Sequence, residues 1–186
     1  MSFEIEHKYH VDDLGRLESR LAELGAVEQR KEEPSDSYYN HPSRDFRETR
    51  EALRIRRVDG VPMITYKGPK FPGAIKARLE REWRLDPGDR DGSSTEELLQ
   101  ILGFRPVAIV RKSRRCFRLP GEMADFGVVI DEVQSLGLFA EVELVVGEAG
   151  EIELARERIA ELSGHLGLQR AEPRSYLSML LELSDG

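Results

Sequence analysis

The run Phe3-Glu4-Ile5-Glu6-His7-Lys8-Tyr9 alternates ionised side chains with apolar or aromatic ones. Successive side chains of a strand point to opposite faces, so Glu4, Glu6 and Lys8 share one face and Phe3 and Ile5 the other. Six further segments read the same way: Leu53–Val58, Met63–Lys67, Arg78–Leu85, Val107–Phe117, Gly127–Val133 and Phe139–Val146. Their charged faces carry Arg54 and Arg56, Thr65 and Lys67, Arg78 with Glu80 and Glu82, Lys112 and Arg114, Asp131, and Glu141 and Glu143. Their other faces carry Leu53, Ile55, Ile64, Tyr66, Leu79, Trp83, Ile109, Phe117, Val142 and Leu144.

Helical spacing separates these strands. Leu14, Leu17, Leu21 and Leu24 mark a helix from Asp12 to Leu24, with an aspartate to cap it and Gly25 to end it. Ser94 followed by Glu97 has the form of a capping box opening a second helix to Gly103. Ile152, Ala155, Ile159 and Leu162 mark a third helix from about Glu148 to Leu162, and Tyr176–Leu183 a short fourth. A Glu-x-Glu strand precedes, and Leu-Gly follows, each of the first three helices. A repeated strand–helix–strand unit accounts for this, and so does coincidence in common residue types.

An antiparallel sheet with one solvated face is the ordinary reading of such alternation. Here the polar positions are almost all ionised, of both signs, without the usual Ser, Thr, Asn and Gln. Closing the sheet into a barrel turns those charges into a lumen and leaves apolar outer faces for the helices. Enclosed charges are costly unless paired, ligated or met by a charged ligand. Arg and Lys suit polyphosphate, and carboxylate pairs suit hard cations such as Mg²⁺ or Mn²⁺. The pattern therefore predicts a site for a metal–polyphosphate complex within one domain over residues 1–186.

Composition narrows the class. With 186 residues and a net charge of −7, the chain lacks the basic surplus of a nucleic-acid binder. One cysteine, Cys116, excludes an intrachain disulfide framework and a cysteine-based zinc site. No apolar run reaches the length of a membrane span, and no secretory pattern opens the chain, so a cytoplasmic location without membrane contact is expected.

Glu4-Ile-Glu6-His7-Lys8 resembles the ExExK motif of the CYTH superfamily, the triphosphate tunnel metalloenzymes. The resemblance runs in order through Asp36-Ser-Tyr-Tyr-Asn40, Arg44-Asp45-Phe46, Glu51-Ala-Leu-Arg-Ile-Arg56, Thr65-Tyr-Lys-Gly-Pro69, Glu80-x-Glu82, Lys112-Ser-Arg114, Ile130-Asp-Glu-Val133, Ala140-Glu-Val-Glu143 and Ser175-Tyr-Leu177. The segment from Tyr38 through Arg56 is most similar to the class IV adenylate cyclase branch, with Asn40 standing where that branch more often has an acid. The resemblance implies an α+β fold with an eight-stranded antiparallel tunnel, one or two divalent cations (Mg²⁺ or Mn²⁺) and a triphosphate across basic side chains. By position it implies Glu4, Glu6, Glu141 and Glu143 as metal ligands, and Lys8, Arg54, Arg56, Lys67, Lys112 and Arg114 as phosphate contacts. It leaves Asp131 either to contact metal or to orient a basic partner, and Glu80 and Glu82 to hold a second metal or neutralise Arg78.

The implied reaction converts ATP to 3′,5′-cyclic AMP and pyrophosphate, with Glu6, Glu143 and Lys8 at its centre. A triphosphatase for inorganic triphosphate, thiamine triphosphate or nucleotides would need nearly the same charges. A non-catalytic polyphosphate or nucleotide sensor would have less need of two carboxylate pairs. No histidine or Ser–His pair stands out as a base: His7 lies opposite the glutamates and His41 falls in a turn. Cys116 reads as a small packing residue and Trp83 as one packed under a helix. A homodimer follows only from analogy with the family.

Overall fold

The computed structural model of the chain describes residues 2–184. Nine strands form one antiparallel sheet: β1 (Phe3–His10), β2 (Val27–Glu32), β3 (Ser35–Asn40), β4 (Ala52–Val58), β5 (Val61–Lys70), β6 (Lys76–Arg84), β7 (Arg105–Arg118), β8 (Gly127–Val133) and β9 (Gly137–Val146). The order β7-β3-β4-β5-β6-β1-β9-β8 closes on itself because β8 also pairs with β7. The result is an eight-stranded barrel, with β2 as an extra strand on the far half of β7. Among the described residues five α-helices flank it: α1 (Leu14–Glu23), α2 (Phe46–Thr49), α3 (Ser93–Ile101), α4 (Ile152–His165) and α5 (Tyr176–Ser184). No helix among the described residues is long and apolar enough to cross a membrane.

The sequence reading lacked β2 and β3. Strand β3 is Ser-Asp-Ser-Tyr-Tyr-Asn, built partly from residues depleted in strands, and it forms because β4 and β7 pair with it on both sides. Strand β2 is almost fully exposed and charged, which suits an edge that must resist further pairing. Of the three similar segments, the first two are strand–helix–strand (β1-α1-β2 and β6-α3-β7), whereas the last ends after α4 in a single bridge between Ala171 and Tyr9.

The start of α3 also differs from expectation. The cap is Gly92 at φ +77°, with no side-chain capping bond, so the expected Ser94–Glu97 box does not form. Asp89 instead accepts from the backbone amides of Ser94 and Thr95, and Asp91 from that of Ser93. Glycine is required at position 92 twice over, since a Cβ there would also lie 2.9 Å from Ile55 Cγ2.

Packing outside the barrel follows the alternation. Ile5, Val128, Ile130, Val142 and Leu144 meet Leu17 and Leu21 of α1 and Ile159 and Leu162 of α4. Tyr39, Phe46, Leu53, Ile55 and Leu99 form a second cluster beside α2 and α3. Trp83 departs from the reading: it is 55% exposed and packs under no helix. At one end of the barrel, α5 brings Tyr176 and Met179 onto Val110, Val133 and Phe139, an apolar plug.

The chain reaches that plug through Glu172, whose amide donates to Lys8 O at 2.8 Å. Its carboxylate accepts from the amide and Nε of Arg174 (2.9 and 2.8 Å) and pairs with His10 Nε2 at 3.0 Å. These bonds, against some burial, hold its pKa down at about 2 instead of 4.5. Glu172→Gln should cost about 1–2 kcal/mol at neutral pH, since Arg174 is half exposed and screened. A depressed carboxylate pKa stabilises the fold above the unfolded value, and that contribution is lost as pH falls from about 4.5 toward 2. Denaturant titrations across that range should show the wild-type advantage shrinking with acidification; an advantage independent of pH would refute the assignment.

Candidate active site

Closure of the sheet brings together residues more than a hundred positions apart. One cavity of about 430 Å³ is lined by Glu4, Glu6, Lys8, Arg54, Arg56, Lys67, Lys112, Arg114, Glu141 and Glu143, all named from the sequence. Across the β1–β9 ladder Glu6 stands opposite Glu143 and Lys8 opposite Glu141. Asp131 lies in the wall behind, fully buried.

The charges fall into two kinds of pairing. Asp131 accepts from Lys112 Nζ at 2.8 Å, from Arg114 Nε and Nη2 at 2.6 Å each, and from Tyr176 Oη at 2.9 Å. Asp36 accepts from Arg54 Nη1 at 3.2 Å and from Arg56 Nε and Nη2 at 2.7 and 2.8 Å. Against the cost of burial, these guanidinium and ammonium partners hold both aspartates well below the usual carboxylate range. Each aspartate therefore fixes two cations from below and leaves their remaining donors toward the cavity.

The glutamates of β1 and β9 differ from one another in how they are held. Lys67 Nζ meets Glu4 at 2.5 Å and also contacts Glu80, while Lys76 Nζ meets Glu6 at 3.1 Å and Arg114 meets Glu141 at 2.8 Å. Burial, with help from Glu80 and Glu6, pushes Glu4 up to about 7 despite Lys67. Burial and the negative charge of Glu4 likewise push Glu143 up to about 7. Burial also opposes the charge on Glu6, but Lys76, Lys67, Arg78 and Lys8 outweigh it and hold the group well below its ordinary value. Lys8 and Lys112 are each lowered to about 8, first by burial and then by the neighbouring cations Lys76 and Arg114.

Glu143 makes no ion pair or hydrogen bond among the described residues. Its side chain lies over Gly127, where a Cβ would come within 2.5 Å of Oε1. No group of three or more metal-ligating side chains is drawn into one shell among the described residues. The donor set nevertheless fits a hard divalent cation: every oxygen donor is a carboxylate, and burial with neighbouring negative charge disfavours the ionised forms of Glu4 and Glu143 until a cation joins them. Glu82 is further from this role, as it accepts from Thr65 Oγ1 at 2.8 Å.

Several site residues had escaped assignment. Asp36 sits in a strand that the alternation did not reveal, and Lys76 at the start of β6, two residues before the segment read as strand from Arg78. Tyr176 reaches the site from a helix, so period-two reasoning could not find it. Its ring centroid lies 4.0 Å from Lys8 Nζ and 5.0 Å from Lys112 Nζ, a cation–π stack over both.

The profile of the CYTH domain family matches residues 2–176. The chain belongs to the CYTH family. This CYTH chain is 34% identical over 178 residues to the provisionally named adenylate cyclase MJ0240 of Methanocaldococcus jannaschii, covering 95% of this chain and 97% of the other. It is 25% identical over 182 residues to adenylate cyclase CyaB of Aeromonas hydrophila, covering 95% and 88%. Among solved structures, the PH1819 protein of Pyrococcus horikoshii OT3 superposes with a TM-score of 0.86 at 38% identity, covering 97% of this chain and 99% of that one. The CYTH fold and an enzyme family with adenylate cyclases by name are thereby established for the chain.

Proposed function

We propose that this CYTH protein is a metal-dependent adenylate cyclase that converts ATP to 3′,5′-cyclic AMP and pyrophosphate, with Mg²⁺ or Mn²⁺. The observation that carries the reading is the cavity in which cations fixed by Asp36 and Asp131 line the same space as the glutamates of β1 and β9. The names of the similar proteins point the same way.

Lys8, Arg54, Arg56, Lys67, Lys112 and Arg114 bind the triphosphate, Arg by forked donors and Lys as point charges. Glu4, Glu6, Glu141 and Glu143 hold the cation. A divalent cation supplies Lewis acidity and neutralises charge on the phosphates when bound. Asp131 takes the second of its two sequence readings: both oxygens are occupied by Lys112, Arg114 and Tyr176, so it positions phosphate-binding cations and leaves the metal to the glutamates. The 3′-oxygen of the ribose bonds to the α-phosphorus, the bond to the pyrophosphate oxygen breaks, and the hydroxyl proton passes to water. No histidine lines the cavity among the described residues, which fits a proton leaving to solvent. The lysines and arginines of the cavity hold the phosphates so that attacking and leaving oxygens stay in line.

A triphosphatase is the second reading, because water delivered to the γ-phosphorus would use the same charges. A Hippeastrum protein of this fold is named an adenylyl cyclase but described as having a dominant triphosphatase activity; at 16% identity, a TM-score of 0.67 and coverage of 98% of this chain and 96% of that one, it speaks for the fold alone. Purified protein with Mg²⁺ or Mn²⁺ should therefore be offered ATP, GTP, thiamine triphosphate and inorganic triphosphate, with Glu6→Ala in parallel. Cyclic AMP and pyrophosphate, absent in the variant, are expected. Orthophosphate without cyclic nucleotide would transfer the protein to the triphosphatases. Nucleotide binding with no turnover would leave a sensor.

A further inference from the structure

The β5–β6 hairpin ends in a turn, residues 71–75, that α4 holds from outside the barrel. The β1–β6 ladder stops at the rung between Glu6 and Lys76, so Ile75 lies just past its end. There Arg156 of α4 supplies a donor: its Nε donates to Ile75 O at 2.9 Å. Its guanidinium also lies against Gly73, where a Cβ would fall 2.3 Å from Cζ. Only glycine, here at φ +140°, lets the turn come so close. Arg156 is an odd occupant of its position, because its buried neighbours on α4, Ile152, Ala155, Ile159 and Leu162, are apolar core. A buried guanidinium is costly unless its donors are used. Its carboxylate partner among the described residues is Glu153, 78% exposed and screened by water, and Nη2 has no partner. Covering the barrel therefore does not account for an arginine here, whereas holding the turn does.

We propose that Arg156 is a positioning residue, which fixes the β5–β6 turn from outside the barrel and so delivers Lys70 to the cavity and Lys76 to Glu6. The assignment rests on the reading of the charged cavity as a triphosphate site. Lys70 lines that cavity, and its ammonium makes no ion pair or hydrogen bond among the described residues. Lys76 and Arg78 share Glu6, at 3.1 and 3.8 Å, and Arg78 also stands across the β5–β6 ladder from Lys70. Burial, with the charges of Lys76 and Arg78, pushes Lys70 down to about 8. Three cations around one carboxylate repel each other and would open the turn unless it is tied down or an anion joins them. Apart from Ile75, which packs into the core, the turn has slight ties of its own. The Phe71 amide donates to Ala77 O at 2.8 Å, and the Phe71 ring meets Phe3 edge-on at 5.6 Å. The bond from Arg156 secures the backbone next to Lys76, where the repulsion acts.

The test uses the full chain and two readouts. Hydrogen exchange without ligand should show the amides of residues 71–77 exchanging about tenfold faster in Arg156→Met, with those of β8 and β9 unchanged. Inorganic triphosphate, titrated calorimetrically with Ca²⁺, should bind Arg156→Met about tenfold more weakly than wild type. Arg156→Lys keeps one donor for Ile75 O and should stay within about threefold of wild type. In a chain carrying both Lys70→Ala and Lys76→Ala, Arg156→Met should cost less than about twofold, since the side chains it positions are gone. Gly73→Ala drives the guanidinium off from the other side, and should reproduce both results even if Arg156→Met fails to fold. Unchanged exchange, wild-type affinity, or the same loss of affinity with and without the two lysines would overturn the assignment and leave the triphosphate site standing. A wild-type protein that binds no inorganic triphosphate would overturn the positioning role together with the triphosphate reading.

Discussion

Glu143→Gln should abolish most turnover, by about 10³-fold in kcat, without lowering the melting temperature. A cation that polarises phosphate oxygens contributes several kcal/mol at the transition state, and loss of a ligand that holds it converts to about three decades in rate. Most buried glutamates would be missed by the fold, but this one makes no ion pair or hydrogen bond among the described residues. Burial and the charges of Glu4, Glu141 and Glu6 work against its ionised form, with only Arg114 in its favour. A neutral amide of the same shape relieves that repulsion, so the metal-free variant should melt at the wild-type temperature or above it. Steady-state kinetics at saturating Mg²⁺ or Mn²⁺, beside a thermal melt in chelator, reads both halves. Wild-type turnover in the variant would remove Glu143 from the metal site; a collapse of the melt would mean that the carboxylate serves the fold.

Asp131→Ala should behave in the opposite way and cost about 3–5 kcal/mol of stability, because it strands buried cations without their counter-charge. Lys112 and Arg114 both rest on this carboxylate, and Tyr176 Oη donates to it as well. Removing it leaves two cations side by side in a desolvated wall and frees α5 from its anchor. Denaturant unfolding measures the loss. Inorganic triphosphate should restore part of it, since an anion that binds only the folded state stabilises it by mass action. A variant as stable as wild type would show that Asp131 is not the counter-ion of this wall. A large loss with no recovery on adding triphosphate would detach Lys112 and Arg114 from the phosphate site. Set against Glu143→Gln, the pair separates carboxylates that hold protein cations from carboxylates that await a metal.

The eleven residues proposed for the site could be placed together because period two is simple arithmetic: a strand that alternates charge and apolar residue must put all its charges on one side; their roles came from the resemblance to the CYTH superfamily. The cost of enclosing charge then set the condition on such a barrel: its ionised groups must be paired, ligated or met by a charged ligand. The same arithmetic was blind to β3, whose Ser, Asp and Asn read as turn, and so to Asp36. It read the solvent-exposed Trp83 as helix-covered because an aromatic opposite a charge is indistinguishable from a core residue in one dimension. Ser94 and Glu97 had capping-box spacing, but the preceding Asp89 and Asp91 reach the same amides, and competition between nearby acceptors is settled only in space.

By itself, then, the sequence determined most of the strands that bear charge and that the charges of each share one face. These follow from side-chain chemistry repeated at fixed intervals along the chain. Only the tertiary structure decided how the charges are shared out: that Asp131 and Asp36 are consumed by arginine and lysine, that Glu143 is left without a partner among the described residues, and that Tyr176 arrives from a distant helix to cover Lys8 and Lys112. Pairing of charges depends on distances across a closed sheet, and those distances are set by register and closure, which local periodicity does not contain.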